Sequence, residues 1–115
     1  MTLVVVTCMD ARIDPLGGFG LSLGDAHVVR NAGVEVTDDV VRSLRLAHET
    51  LGSDEAWLVA HSDCVANGRD DSRALATLRR GVAALRGALP DGFRVRPFFY
   101  DTSAGTLSPI AEETA

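Results

Sequence analysis

Apolar and polar residues alternate along this chain in blocks that predict short β-strands separated by two helices. The apolar runs are rich in β-branched residues and lack helical spacing, which is typical of buried strands in a parallel sheet. Pro97 removes a backbone donor from the last long run, which favours an edge strand or a strand end. The predicted strands are Leu3–Thr7, Ala26–Arg30, Ala56–Ala60 and Phe93–Tyr100, followed by a hairpin segment, Thr106–Ile110.

The first helix is predicted between the second and third strands. Thr37 or Asp38 can cap its beginning, and Gly52 is suited to end it. Apolar residues recur at three- and four-residue steps and so form one buried face. They are Val40, Val41, Leu44, Ala47 and Leu51.

The second helix is predicted between the third and fourth strands, after a polar segment that runs from Asn67 to Ser72. Asp71 or Ser72 is expected to cap the helix, and Pro90 lies just after its end. Its apolar positions repeat with the same helical spacing. They are Leu75, Leu78, Val82, Leu85 and Leu89.

Strands that alternate with helices are typical of βαβ units and a mainly parallel sheet. The 115 residues suffice for a single domain, residues 1–115. We predict an α/β fold with four mainly parallel strands in the order 2-1-3-4, flanking helices and a C-terminal hairpin. In that order the carboxyl ends of the first and third strands are neighbours, so the segments that follow them share one crevice.

Three residues of metal-binding type follow those two strand ends. Cys8 comes after the first strand, and His61 and Cys64 come after the third. Two thiolates and an imidazole suit Zn²⁺, and three protein ligands leave a fourth tetrahedral position for water or substrate. The alternative interpretation makes each of them a small buried residue at a strand end. We predict a zinc site formed by all three.

Asp10 and Arg12 follow Cys8 closely enough to face the same crevice from an extended or turning loop. Asp10 could bind the metal as a fourth ligand, or pair with Arg12 in a bidentate contact that leaves the metal open. A third interpretation is a solvated ion pair worth at most ~1 kcal/mol. The sequence leaves these alternatives open.

Other polar residues receive structural interpretations. Asp63, between two of the candidate ligands, is predicted to cap a local turn. His27 and His48 are interpreted as structural or exposed residues, since neither adjoins another candidate ligand. Arg79 and Arg80 are predicted to lie on a solvated helix face.

Composition excludes several classes of function. A net charge of −5 argues against nucleic-acid binding as the main task. Apolar runs such as Leu3–Val6 are far too short to span a membrane, and no secretion signal opens the chain. We therefore expect a cytoplasmic protein, in which a disulfide between Cys8 and Cys64 is not expected because that compartment keeps thiols reduced.

The segments Cys8-x-Asp10-x-Arg12 and His61-x-x-Cys64 occur together with Arg30-Asn31-Ala32-Gly33 and further ordered motifs. Together these motifs resemble the β-class carbonic anhydrases, especially their compact bacterial members. The resemblance implies a zinc site of Cys8, His61 and Cys64, with Asp10 and Arg12 as the catalytic or gating pair. It also implies reversible hydration of carbon dioxide to bicarbonate by zinc-bound hydroxide, and a homodimer or higher homo-oligomer with active sites near the subunit boundary. The motifs are Cys8-x-Asp10-x-Arg12, Arg30-Asn31-Ala32-Gly33, Thr37-Asp38-Asp39-Val40 with Arg42-Ser43-Leu44, His61-x-x-Cys64, and Phe99-Tyr100-Asp101 with Gly105-Thr106-Leu107.

The chain departs from the family pattern in three ways. It starts at the first strand instead of an N-terminal helix that embraces the partner subunit, and its segment after Cys64 is shorter. Val65 replaces a glycine after the second zinc cysteine, where a β-branched residue would be strained at positive φ and would crowd the fourth metal position.

These departures motivate two alternative functions. A reshaped pocket favours hydrolysis of a related small electrophile, such as carbonyl sulfide or carbon disulfide. A metal site closed by Asp10 as fourth ligand would instead belong to a non-catalytic zinc protein with an accessory role.

Overall fold

A computed structural model of the protein describes residues 2–111, and its elements follow the predicted order. Two short 3-10 turns accompany the longer elements, and each predicted strand is found with its ends moved by at most one residue. The strands are β1 (Leu3–Cys8), β2 (Ala26–Asn31), β3 (Glu55–His61), β4 (Arg94–Asp101) and β5 (Thr106–Pro109), the helices α1 (Asp38–Leu51) and α2 (Asp71–Ala88), and the 3-10 turns Gly17–Phe19 and Val65–Asn67.

The strands form one sheet in the order β2-β1-β3-β4-β5. The pairs β1–β2, β1–β3 and β3–β4 are parallel, and β5 is antiparallel to β4. The predicted order 2-1-3-4 is confirmed, and the C-terminal hairpin adds a fifth strand to the same sheet. Thr7 lies opposite Val59, so β1 and β3 end side by side at one edge.

The two central strands are buried on both faces. Val4, Val5 and Val6 are at most 1% exposed, and Leu58 and Val59 are 0% exposed. Since neighbouring residues of a strand point to opposite faces, this continuous burial requires cover on both sides of the sheet. The apolar runs in the sequence therefore reflect a sheet packed within the protein.

The structure corrects the expectation that Pro97 marks an edge strand or its end. Pro97 lies within β4, opposite Leu58 of β3, and its carbonyl oxygen accepts a hydrogen bond from the Ile110 N–H. In a strand, the backbone nitrogen and the carbonyl of one residue point towards the same neighbouring strand. The Pro97 nitrogen, which lacks a hydrogen, therefore faces the end of β5 and not β3. Pairing with β5 starts at Phe98, and the proline therefore removes no hydrogen bond to β3.

Helix α1 begins and ends as predicted. Thr37 is its N-cap and its hydroxyl accepts a hydrogen bond from the Val40 N–H at 3.3 Å, while Gly52 ends the helix in a left-handed conformation. Leu51 was assigned to the buried face but is 51% exposed, because it is the last residue of the helix and lies next to the Gly52 turn.

Helix α2 begins one or two residues earlier than expected, and the predicted caps Asp71 and Ser72 lie inside its first turn. Asp70 is the N-cap, with an extended backbone and a carboxylate that accepts hydrogen bonds from the backbone N–H groups of Ser72 and Arg73. Together with the Ser72 hydroxyl, these donors lower the pKa of Asp70. Polar residues of similar capping ability stand side by side here, and the backbone conformation selects among them.

Two glycines of α2 occupy contrasting surroundings and provide a test of the helix packing. A Cβ at Gly81 would lie 2.8 Å from Val36 Cγ2 and 3.3 Å from Leu58 Cδ2, whereas one at Gly87 would meet no atom of the described chain within 4 Å. We expect Gly87→Ala to stabilise the protein by up to about 1 kcal/mol through helix propensity. Gly81→Ala is expected to destabilise it, because the close contact outweighs the same gain.

Thermal and urea unfolding of the two variants measure this difference. If Gly81→Ala proved as stable as Gly87→Ala, the close approach of α2 to Val36 and Leu58 would be wrong.

Candidate metal centre

Three potential metal ligands meet where β1 and β3 end. Cys8 is the last residue of β1 and His61 is the last residue of β3. Cys64 lies three residues after His61, immediately before the 3-10 turn Val65–Asn67. Their ligand atoms lie within 4.8 Å of one another, and the residues are only 4%, 1% and 2% exposed. The predicted convergence at one sheet edge is confirmed.

The His61 ring has one nitrogen that is hydrogen-bonded and one that is not. Nδ1 lies 2.8 Å from the backbone oxygen of Ser62, which can only accept, so the neutral ring carries its proton on Nδ1. Nε2 therefore presents a lone pair, yet it is buried and has no hydrogen-bond partner among residues 2–111. A buried nitrogen left in this state is unfavourable, and a metal ion would satisfy it.

Each cysteine sulfur receives an N–H donor. The Gly33 backbone N–H lies 3.4 Å from Cys8 Sγ, and the Asn67 side-chain Nδ2 lies 3.3 Å from Cys64 Sγ. Such donors complement the negative charge of a thiolate ligand. Both cysteines are free, as predicted. The donor set and the unpartnered imidazole nitrogen therefore fit a metal ion of the zinc type.

Asp10 and Arg12 form the bidentate pair that was one of the arrangements left open by the sequence. Asp10 Oδ1 accepts hydrogen bonds from the Arg12 backbone N–H at 2.9 Å and from Nε at 3.0 Å, and Oδ2 accepts from Nη2 at 2.7 Å. These bonds hold the pKa of the Asp10 carboxyl well below its usual range. Oδ2 lies 4.0 Å from His61 Nε2, so the carboxylate borders the cluster without contacting it.

Asp63 is a second carboxylate partner of Arg12, and its predicted role as a turn cap is wrong. Arg12 Nη1 donates to Asp63 Oδ2 at 3.2 Å, and Arg69 Nη1 donates to both carboxylate oxygens at 3.1 and 3.0 Å. Asp63, at φ 55°, and Arg69, at φ 57°, both have left-handed backbone conformations. The hydrogen bonds from Arg69 and Arg12 lower the pKa of Asp63. Asp10, Arg12, Asp63 and Arg69 thus form a chain of alternating charges, which we call the exposed ion-pair chain.

Arg30 holds the loop that carries Asp10, a role that sequence reasoning missed. Its guanidinium donates to the backbone oxygens of Cys8 at 2.8 Å, Asp10 at 2.8 Å and Ile13 at 3.4 Å. Three carbonyls on one guanidinium fix the path of the chain directly after β1. The only sequence signal for this was the position of Arg30 in a family motif.

Val65 does not show the strain expected from its place next to Cys64. It is the first residue of the 3-10 turn Val65–Asn67 and has no positive φ, so a β-branched residue is accommodated there. Its side chain is 65% exposed. The left-handed conformations of this segment lie at Asp63, Gly68 and Arg69 instead.

Comparison with known proteins identifies the family. A sequence model described as carbonic anhydrase matches residues 3–89, which is well over half of the chain. The chain belongs to the β-class carbonic anhydrase family. The resemblance carried by the motifs is therefore confirmed.

Individual relatives show both the similarity and its extent. β-Carbonic anhydrase 1 of Mycobacterium tuberculosis is 50% identical over 62 residues, which are 54% of this chain and 38% of that protein. Carbon disulfide hydrolase of Acidianus sp. is 45% identical over 60 residues, 52% of this chain and 29% of that protein. The matched regions thus span less than half the length of these curated relatives.

The fold of this carbonic anhydrase homologue is also seen among solved structures. The crystal structure of carbonic anhydrase from Streptococcus mutans matches it with a TM-score of 0.87 and 29% sequence identity, covering 95% of this chain and 81% of that chain. In the part of the homologue that the structure describes, residues 2–111, neither helix is long and apolar enough to cross a membrane.

Removing a ligand tests the metal centre directly. We expect the wild-type protein to bind zinc stoichiometrically, and Cys8→Ser and His61→Gln to lose it, because each variant leaves two of the three ligands. His27→Gln should keep the metal, since His27 lies on β2 and its ring contacts the Thr2 hydroxyl. Elemental analysis after dialysis measures the metal content.

The same proteins should differ in their thermal response to zinc. Added zinc should raise the Tm of metal-free wild type and of His27→Gln, because binding to the folded state stabilises it. A wild-type Tm that zinc leaves unchanged would contradict the metal centre.

Proposed function

We propose that the protein binds Zn²⁺ through Cys8, His61 and Cys64 and catalyses the reversible hydration of carbon dioxide to bicarbonate. The observation that carries this proposal is the buried cluster itself, with its unpartnered His61 nitrogen, in a chain of the carbonic anhydrase family. The chemistry fits because carbon dioxide is a small electrophile that needs only an activated water and no further cofactor.

When bound there, zinc would supply a Lewis acid that makes a water molecule nucleophilic at neutral pH. Asp10 would accept a hydrogen bond from the attacking water and orient it through Oδ2, the carboxylate oxygen that lies 4.0 Å from His61 Nε2. Its lowered pKa keeps the carboxylate ionised and therefore an acceptor. Orientation of this kind contributes to catalysis by reducing the entropy that the reaction must lose.

Arg12 holds Asp10 in that position. Three hydrogen bonds from Arg12 to Asp10 would have to break before the carboxylate could move towards the cluster. Asp63 and Arg69 continue the exposed ion-pair chain and restrain Arg12 from the other side. This arrangement favours a catalytic site over the closed, non-catalytic one with Asp10 as fourth ligand, because closing the site would break the Asp10–Arg12 pair.

A second candidate function is hydrolysis of carbon disulfide or carbonyl sulfide. Two residues adjacent to the cysteines, Met9 and Val65, carry apolar side chains that are 66% and 65% exposed, which suits an apolar substrate. The similarity to the Acidianus carbon disulfide hydrolase also supports it. Turnover of carbon dioxide, carbonyl sulfide and carbon disulfide by one zinc-loaded preparation decides between the two functions.

We also propose a homodimer or higher homo-oligomer with active sites near the subunit boundary, as the family resemblance implies, and a cytoplasmic location. The free cysteines suit a reducing compartment, and the net charge of −5 fits a protein that does not bind nucleic acid. Sedimentation as a monomer at micromolar concentration would exclude the dimer.

Variants of the Asp10–Arg12 pair test the catalytic proposal. We expect Asp10→Asn to lower kcat for carbon dioxide hydration about 10²-fold with zinc content unchanged, because a neutral amide accepts a weaker hydrogen bond from water than an ionised carboxylate does. Arg12→Gln should also lower kcat, since Asp10 is then free to approach the metal. Stopped-flow hydration assays with parallel zinc analysis measure both effects.

Asp39 and Arg42 provide a matched control, since they form an ion pair on α1 whose side chains are more than three-quarters exposed. Asp39→Asn should therefore have wild-type kcat. A wild-type enzyme with no hydration rate above buffer would refute the proposed function.

A further inference from the structure

Asn67 is a buried amide that contacts one of the candidate ligands. The sequence placed it in a polar segment, but it ends the 3-10 turn Val65–Asn67 and is only 7% exposed. Its Nδ2 lies 3.3 Å from Cys64 Sγ and 3.5 Å from the Gly33 backbone oxygen. Its Oδ1 accepts a hydrogen bond from the Thr77 hydroxyl at 2.8 Å. Both ends of the amide are therefore engaged within the protein.

Thr77 fixes the orientation of this amide. Thr77 lies on α2, is 5% exposed, and accepts a hydrogen bond from Arg80 Nη2 at 3.2 Å, which leaves its own proton for Asn67 Oδ1. If the amide were reversed, its oxygen would face two acceptors, the Cys64 sulfur and the Gly33 carbonyl. The network therefore selects the orientation that directs N–H groups at the sulfur. Arg80 is exposed on α2, as predicted, and also donates this hydrogen bond to Thr77.

Gly33 connects the same amide to the other cysteine. Its N–H donates to Cys8 Sγ at 3.4 Å, and its carbonyl accepts from Asn67. At φ 83° a Cβ here would lie 3.0 Å from Ala66 Cβ and 3.1 Å from Asn67 Nδ2, so glycine is required. Both sulfurs thus receive their N–H donors from one connected network. We call Gly33, Asn67 and Thr77 the buried hydrogen-bond network, which the exposed Arg80 joins through Thr77.

We propose that Asn67, oriented by Thr77, is a positioning residue that tunes the metal centre through Cys64. A hydrogen bond from an N–H group withdraws electron density from the thiolate sulfur. The sulfur would then donate less charge to a bound metal, which would stay a stronger Lewis acid. The donor also fixes the Cys64 side chain before metal binds. This inference rests on the proposed metal site and adds to it a residue that touches neither metal nor substrate.

Cobalt substitution tests the inference, since thiolate-to-Co²⁺ charge-transfer absorption reports the charge on the sulfur. We expect Asn67→Leu, which has similar size but no N–H, to shift this band to longer wavelength. Its zinc affinity, measured by competition with a chelator, should fall about 10- to 100-fold, because the Cys64 side chain is no longer fixed before the metal binds. Thr77→Val should shift the band in the same direction. Thr77→Ser, which keeps the hydroxyl, should have the same band as the wild-type protein.

The outcomes separate this inference from the metal site on which it rests. Unchanged spectra and zinc affinities in Asn67→Leu and Thr77→Val, with a normal wild-type band, would overturn the role of Asn67 alone. A wild-type protein with no thiolate-to-Co²⁺ band would overturn the metal centre and the inference together. If circular dichroism shows that Asn67→Leu does not fold, the comparison of Thr77→Val with Thr77→Ser decides.

Discussion

The parallel pairing of β1 with β3 is the constraint on which the candidate site depends. It places Cys8 beside the segment that carries His61 and Cys64, although these residues are far apart in the sequence. Side chains alternate between faces along a strand, so a shift of one residue in the pairing would turn Cys8 away from its partners. Burial of both strands on both faces prevents such a shift, because it would also exchange the core residues of the two faces.

Two networks surround the cluster, and they differ in their access to water. The exposed ion-pair chain reaches it through Asp10, and its members Arg12 and Asp63 have side chains that are both 44% exposed. The buried hydrogen-bond network reaches it through Asn67 and Gly33. Water and salt weaken exposed charge pairs, whereas burial strengthens hydrogen bonds. The first network is therefore suited to a side chain that exchanges partners, and the second to fixing the ligands.

The segment after Cys64 shows how a family site accommodates a changed sequence. The glycine expected from the family resemblance is replaced by Val65, yet the 3-10 turn Val65–Asn67 has no positive φ at this position. The turn carries Asn67 into the protein, where its amide meets the sulfur of Cys64. Val65, which was expected to crowd the pocket, thus begins the turn whose last residue, Asn67, contacts the candidate ligand Cys64.

The sequence by itself determined the order of the strands and helices, the strand order 2-1-3-4 and the three converging ligands. The elements follow from local periodicity, and the strand order is the one that brings the candidate ligands at two carboxyl ends into one crevice, so neither needs knowledge of side-chain conformation. Only the tertiary structure decided that Asp10 rests on Arg12, that Asp63 and Arg69 support this pair, and that Asn67 and Thr77 contact the cluster from within. Each of these depends on distances of a few ångström between side chains, which backbone turns and packing set and which spacing along the chain does not encode.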